Sequence, residues 1–472
     1  MAGNRVVPEL RLYAGIHFLS KSAVQGCYPY WLEEHPLASR LGFLSVAALV
    51  TLALAGQALA QRGGTGSFSG TIVSFSVGSD QALSYPNESS GASPYLLDFP
   101  DEHTTFMPVG GTNKYLVFGS SRISNVKTGG GAVVLETSDL TNFTFAASLG
   151  YNSQVMAPPE PFTSCNASHD SEFDENYAAP GSVVQDPTLP PGNFMIFYEA
   201  ENHCPGGVNQ QPYYATVGFA RSSDSGETWP APMDGALGDT ARHPVLTDIN
   251  PEPSTSHPAM GDAIPSAFVD EFFGEHGLGR EFRVYIVYGS HPGATGTNDG
   301  LLRVATARLS PDFRLPRGTS EAETVPEFYK WHNGSFSQPG IGGLDSGVTP
   351  TIGCTGHQDM GQISHNDDLG LYLLTFVCVS HSDAAWYYST ATNLDLQNWS
   401  TPQQITGSSF SITDNCGNNG TSGQQFDGWY PSFMSPGAAV GHTRLTGKVF
   451  YMNGCDTGTH KFMSRTFTIT VQ

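Results

Sequence analysis

Positive charge is scarce in this chain: 21 Lys and Arg stand against 43 Asp and Glu, a formal net charge of −22 over 472 residues. Phosphate neutralisation needs clustered Lys and Arg, so nucleic-acid binding is excluded. Sustained helical periodicity with caps is also missing, which argues against a helical bundle. Zinc spacings such as HExxH or CxxC do not occur, and no G-x-S-x-G sits on a strand–turn–helix, so the sequence assigns neither a metal site nor a Ser-His-Asp hydrolase. Charged residues of both signs make up only 14% of the chain, whereas 54 Gly, 32 Pro and an aromatic share of 11% describe a turn-rich β protein.

The N-terminal region reads as a targeting segment. "LGFLSVAALVTLALAGQALAQ" (41–61) follows Arg40 and ends in a small-x-small pattern, Ala58-Leu59-Ala60. We expect residues 1–60 to be a leader and residues 61–472 a single secreted domain, with no stable membrane association after processing. The residues ahead of the apolar run admit two accounts: a start codon placed upstream, or a type II signal anchor through residues 41–60. Beyond the leader remain six cysteines, Cys165, Cys204, Cys354, Cys378, Cys416 and Cys455. An even count fits disulfides in an oxidising compartment. Sequons at Asn87, Asn142, Asn166, Asn333, Asn398 and Asn419 fit the same setting.

The β-rich runs recur. Aromatic strands ending in turns appear as "KYLVFGSSR" (114–122), "FMIFYEAENH" (194–203), "VYIVYGSH" (284–291), "LYLLTFVCVSH" (371–381) and "KVFYMNGCD" (448–456). Outer turns end at Phe143, Trp229, Phe313 and Trp399, spaced by 86, 84 and 86 residues. A period near 85 is too long for common solenoids and suits a propeller blade with generous loops. "SSDSGETW" (222–229) has the form of an Asp-box, a hairpin turn with a structural role. The fifth repeat ends in "RTFTITV" (465–471), and the alternating "GTIVSFSV" (70–77) can pair with it to close the ring. The expected fold is all-β, a five-bladed β-propeller closed by an N-terminal strand.

Acids punctuate the repeats. Asp101, Asp262, Asp359 and Asp427 each precede a first strand, in "PDEHTTFMPV", "GDAIPSAFVD", "QDMGQISHND" and "FDGWYPSFMS". Arg122, Glu199, Glu201, His203, His291, His381 and Asp456 end second strands. Blade geometry puts both groups on one face of the disc, around one pocket. The cysteines follow the same topology, giving the pairs Cys165–Cys204, Cys354–Cys378 and Cys416–Cys455. Carboxylates around a funnel suit glycosidic bond cleavage: one stays protonated to serve the leaving oxygen, while another stays ionised to activate water or attack carbon. Trp429, Tyr430, His103 and His381 would stack on or hydrogen-bond a sugar. No cofactor is required, although converging carboxylates and carbonyls offer a seat for a structural Ca²⁺ in the central channel.

With "QDP" before "NFMIFYEA", and phrases such as "SHNDDLGLYLLTF" and "YYSTATNLDLQNW", the chain resembles the five-bladed propeller glycoside hydrolases, the arabinofuranosidase, arabinanase, xylosidase and invertase-like group. The resemblance covers roughly residues 67–472. It implies a base or nucleophile at Asp101, with Asp98 as rival, and a pKa-tuning acid at Asp262, with Asp186 as competitor. The proton donor is then Glu199 or Glu201. The implied substrate is a plant-type polysaccharide or oligosaccharide, an α-L-arabinofuranoside or β-xyloside, attacked by a monomer. A carbohydrate-binding propeller without catalysis is the alternative, and a lyase or sialidase-like enzyme on the same scaffold is a third.

Overall fold

All five aromatic runs form strands in the computed structural model: Tyr115–Ile123, Phe194–Asn202, Arg280–His291, Leu371–Val379 and Thr446–Cys455. The structure describes residues 71–472 except 92, 125–129, 161–172, 205–212, 231–241, 249–258, 274–279, 292–299, 310–324, 350–353, 355–356, 381–382, 412–424 and 456–459. These described residues belong to one unit, Ser67–Gln472. The expected leader, Cys165, Cys416, His381 and Asp456 lie outside them, as do the side chains of His291 and Cys455. No helix among the described residues is long and apolar enough to cross a membrane.

Each aromatic strand pairs antiparallel with a strand before it and one after it. The preceding strands are Thr105–Pro108, Tyr177–Gln185, Ala259–Phe273, His357–Asn366 and Gln425–Met434. The following ones are Gly131–Thr137, Tyr213–Ser222, Arg303–Leu309, Asp383–Ala391 and Lys461–Val471. Every residue of Phe194–Asn202 is buried, because sheets cover both of its faces. Ile72–Val77 pairs antiparallel with Lys461–Val471, so the N-terminal strand completes the last sheet as its alternating pattern indicates.

The strands are hydrogen-bonded into sheets of ten, nine and six, and five apolar cores pack among the described residues. Phe118 meets Phe194 and Trp229 in one; Phe197 meets Ile286 in the next; Val287 meets Phe376 and Trp399 in a third. Trp386 then meets Tyr451 and Phe467, and Phe450 and Phe462 meet Phe106 and Val117 of the first sheet. The last contact joins the end of the chain to its beginning, so the sheets form a ring. At the outer turns Asp224 and Asp139 accept backbone N–H groups through their side chains, so the Asp-box is structural.

The five preceding strands line one cavity, contributing Thr105, Ser182, Ser266, Gln362 and Ser432 among others. Ala259–Phe273 pairs in parallel with Tyr213–Ser222 over three residues at its start, and further along the inner edges side chains supply acceptors between neighbouring strands. Ser432 Oγ accepts from Thr104 N (2.8 Å), Thr105 Oγ1 from Val183 N (3.1 Å), Ser182 Oγ from Ala267 N (2.9 Å) and Gln362 Oε1 from Phe433 N (2.6 Å). These bonds stitch sheet to sheet around the channel. Among the described residues, the lining of this cavity is hydroxyl, amide, imidazole and apolar groups.

Cys354 and Cys378 are joined as expected. Cys204 is also disulfide-bonded.

Candidate active site

The inner strands share a distortion near their starts. Ile264, Met360 and Tyr430 take left-handed backbone angles (φ 52°, 53° and 53°) at register shifts in their ladders. Counted from these residues, Asp262, Asp359 and Asp427 stand two, one and three positions upstream. The acids therefore do not occupy one structural position, and alternate faces of a strand send them to different surroundings.

Asp262 is fully buried and paired with Lys330, which is equally buried, at 2.7 Å. Lys330 Nζ also donates to Thr247 O at 2.9 Å and lies 3.8 Å from Asp345. Burial raises the Asp262 carboxyl to about 7, Asp345 and Asp248 push the same way, and Lys330 opposes them. The nearest established partner of Asp262 is thus a lysine, where the sequence suggests a carboxyl-tuning role. Asp186, its competitor, is fully buried and held by Thr188 Oγ1 (2.6 Å) and Arg221 Nε (3.2 Å) in a turn.

The remaining acids converge. Glu199, Glu201 and His203 are alternate residues of one strand end, so they share a face. Glu199 Oε2 accepts the backbone N–H of Ile264 at 2.6 Å, which the left-handed turn aims at it. Glu201 Oε2 lies 2.8 Å from His203 Nε2, whose ring stacks on Tyr213 with centroids 4.9 Å apart. Glu199 interacts with both Glu102 and Glu201, each a buried acid. Burial raises Glu199 and Glu201 to about 8 each; Glu201 adds to the rise on Glu199, and Asp101 adds to that on Glu201. Burial and Glu199 also raise Glu102 well above the usual range. At neutral pH this row holds protons.

Asp101 differs. Its Oδ2 accepts from Tyr177 Oη at 2.9 Å, and its carboxyl is raised only to about 6: burial, Asp98 and Glu199 raise it while His460 and Tyr177 lower it. Arg122 Nε donates to Asp98 Oδ2 at 2.7 Å, so this cation is engaged by Asp98. Asp359 is mostly buried, accepts the Met360 N–H at 2.9 Å and has His357 3.8 Å away. Tyr177, Tyr213 and Tyr430 stay neutral donors around the acids, their hydroxyls raised by burial and by these same carboxyls. Burial lowers His103 to about 4, leaving it neutral, edge-on to Tyr430 at 6.4 Å. Asp427 and Trp429 are half-buried on the fifth inner strand, with Trp429 edge-on to Tyr430 at 6.1 Å.

The sequence reading missed Glu102. Its only signal is its place beside Asp101, in a loop where strand alternation does not say which way a side chain points. At the other end of the fourth inner strand, His365, Asp367 and His442 form the only group of metal-capable side chains among the described residues.

No family model matches this sequence, and no curated protein does. Among solved structures, the chain is similar to the catalytic domain of a GH62 alpha-L-arabinofuranosidase from Coprinopsis cinerea, at 12% identity over 84% of this chain and 98% of that one (TM-score 0.41). It is also similar to the alpha-L-arabinofuranosidase PaAbf62A of Podospora anserina, in complex with cellotriose, at 10% identity over 84% and 97% (TM-score 0.41). A GH43 endo-arabinanase from Bacillus licheniformis matches at 13% identity over 78% and 94% (TM-score 0.37).

Proposed function

We propose that this chain is a secreted glycoside hydrolase on a five-bladed β-propeller, cleaving glycosidic bonds at the carboxylate cluster. One observation carries the reading: three buried carboxyls interact, with Asp101 raised to about 6 and Glu199 and Glu201 each raised to about 8. Carboxyls pushed apart in this way divide the acid and base roles at neutral pH. The Glu199–Glu201 pair gives its proton to the departing glycosidic oxygen. Ionised Asp101 either removes a proton from the attacking water or attacks the anomeric carbon itself. Because the pair shares protons, its titration belongs to both residues. Tyr177, Tyr213, Tyr430, His203 and Trp429 supply the donors and faces that hold a sugar. The five inner strands and five cores support the blade count, and the disulfides support an extracellular setting.

The test is sugar release from arabinan, arabinoxylan, xylan, fructan and β-glucan, with α-L-arabinofuranosides and β-xylosides assayed first. Asp101→Asn and Glu199→Gln should each lower kcat by about 10²–10⁴-fold while the fold stays intact. The wild-type rate should rise as pH passes about 6 and fall as it passes about 8. Binding without release from any substrate would instead identify a carbohydrate-binding protein.

A further inference from the structure

We propose that His365, Asp367 and His442 bind a zinc-class divalent cation at the end of the channel away from the carboxylate cluster. His365 closes the fourth inner strand and Asp367 follows in its turn. His442 opens a short strand that pairs in parallel with them, His365 opposite His442. The backbone fixes this juxtaposition: His365 N donates to Gly441 O at 3.0 Å and Asp367 N to Thr443 O at 2.9 Å. The side chains converge on one point. His365 Nδ1 and His442 Nδ1 lie 2.9 and 2.7 Å from the same atom, Asp367 Oδ1, and all three ligand atoms fall within 4.8 Å of one another.

A tetrahedral ion with bonds of about 2.0–2.1 Å spaces its ligands by about 3.4 Å. The two His–Asp separations, 2.9 and 2.7 Å, therefore widen by about 0.5–0.7 Å to admit it. Neighbouring rings hold the imidazoles in place: Tyr372 lies 5.3 Å from His365, and Phe268 lies 5.9 Å from His442. The donor set decides the class of metal. Two imidazole nitrogens and one carboxylate suit zinc and its transition-metal neighbours, whereas calcium takes six to eight oxygens. Asp367 is exposed, so an ion has a route in and a fourth position is open to water. On binding, each imidazole turns its Nδ1 lone pair to the ion and carries its N–H on Nε2. Asp359 marks the carboxylate end of the same strand, six residues or about 20 Å from His365. The metal site thus stands whether or not the acids hydrolyse sugars. Its effect is mechanical: the ion clamps the fourth inner strand to the last sheet's entry loop.

The experiment is calorimetric titration of the EDTA-treated protein with Zn²⁺, then with Ca²⁺, beside His365→Gln and Asp367→Asn variants. Both substituted side chains are partly exposed, so the variants should fold. One Zn²⁺ should bind per chain with a rise in Tm, and each variant should weaken it at least about tenfold. Co²⁺ in place of Zn²⁺ should show visible absorption of a four-coordinate site, lost in the variants. Equal Zn²⁺ affinity in wild type and variants, no binding in wild type, or preference for Ca²⁺ would each overturn the assignment.

Discussion

Asp262 and Asp359 look alike in the sequence, each opening an inner strand, yet they meet different fates. Asp359 lies one residue before its left-handed turn and keeps company with the pocket tyrosines; Asp262 lies two before and turns to Lys330. That single step of parity separates a pocket residue from an ion pair with no exposed surface. Removing the cation leaves the buried Asp262 carboxyl without its partner, to sit unpaired or to take up a proton. Lys330→Met should therefore lower the unfolding free energy by about 3–5 kcal/mol in a urea titration. Adding Asp262→Asn should restore much of that loss, since no buried charge then remains. A single variant as stable as wild type would mean that Lys330 does not neutralise Asp262. The sequence shows an acid before each strand, but the bulge that fixes its direction leaves no pattern of its own.

At the scale of strands, local pattern carries far. Aromatic and β-branched runs give the central strand of every sheet, and alternation in "GTIVSFSV" and "RTFTITV" gives the closing pair. What the pattern leaves out is contact between sheets. Glu102 joins Glu199 across two sheets, and His442 meets Asp367 from 75 residues away, which is a matter of ring geometry and not of periodicity. Gly181 shows how close that geometry is. A Cβ added there would lie 1.8 Å from the carbonyl oxygen of Pro265 on the next inner strand. The obstacle is backbone, which has no rotamer to change, so two inner strands must separate. Gly181→Ala should then cost about 3 kcal/mol or more by chemical denaturation. A loss under about 0.5 kcal/mol, typical of a surface site, would show that these strands do not touch as described.

Across the whole molecule, the buried acids set how stability depends on pH. Asp101 is raised to about 6 and Glu199 and Glu201 to about 8, with Glu102 raised as well. Unfolding returns these groups to ordinary values near 4. Between about 4 and about 8 the native chain thus holds more protons than the unfolded chain, and its stability falls as pH rises. Asp367, Asp80 and Asp224 act oppositely: hydrogen bonds to their charged forms lower them, so their contribution is lost as pH drops below the usual carboxylate range. Stability should peak near pH 5, below the pH of greatest activity proposed for the same cluster. Melting followed by calorimetry should give a Tm at pH 5 about 5 °C or more above that at pH 8.5. The double variant Glu199→Gln, Glu201→Gln should flatten this slope, because its amides do not titrate. A wild-type Tm that climbs from pH 5 to pH 8.5 would mean that the carboxyls ionise normally, leaving the pocket without a proton to give at neutral pH.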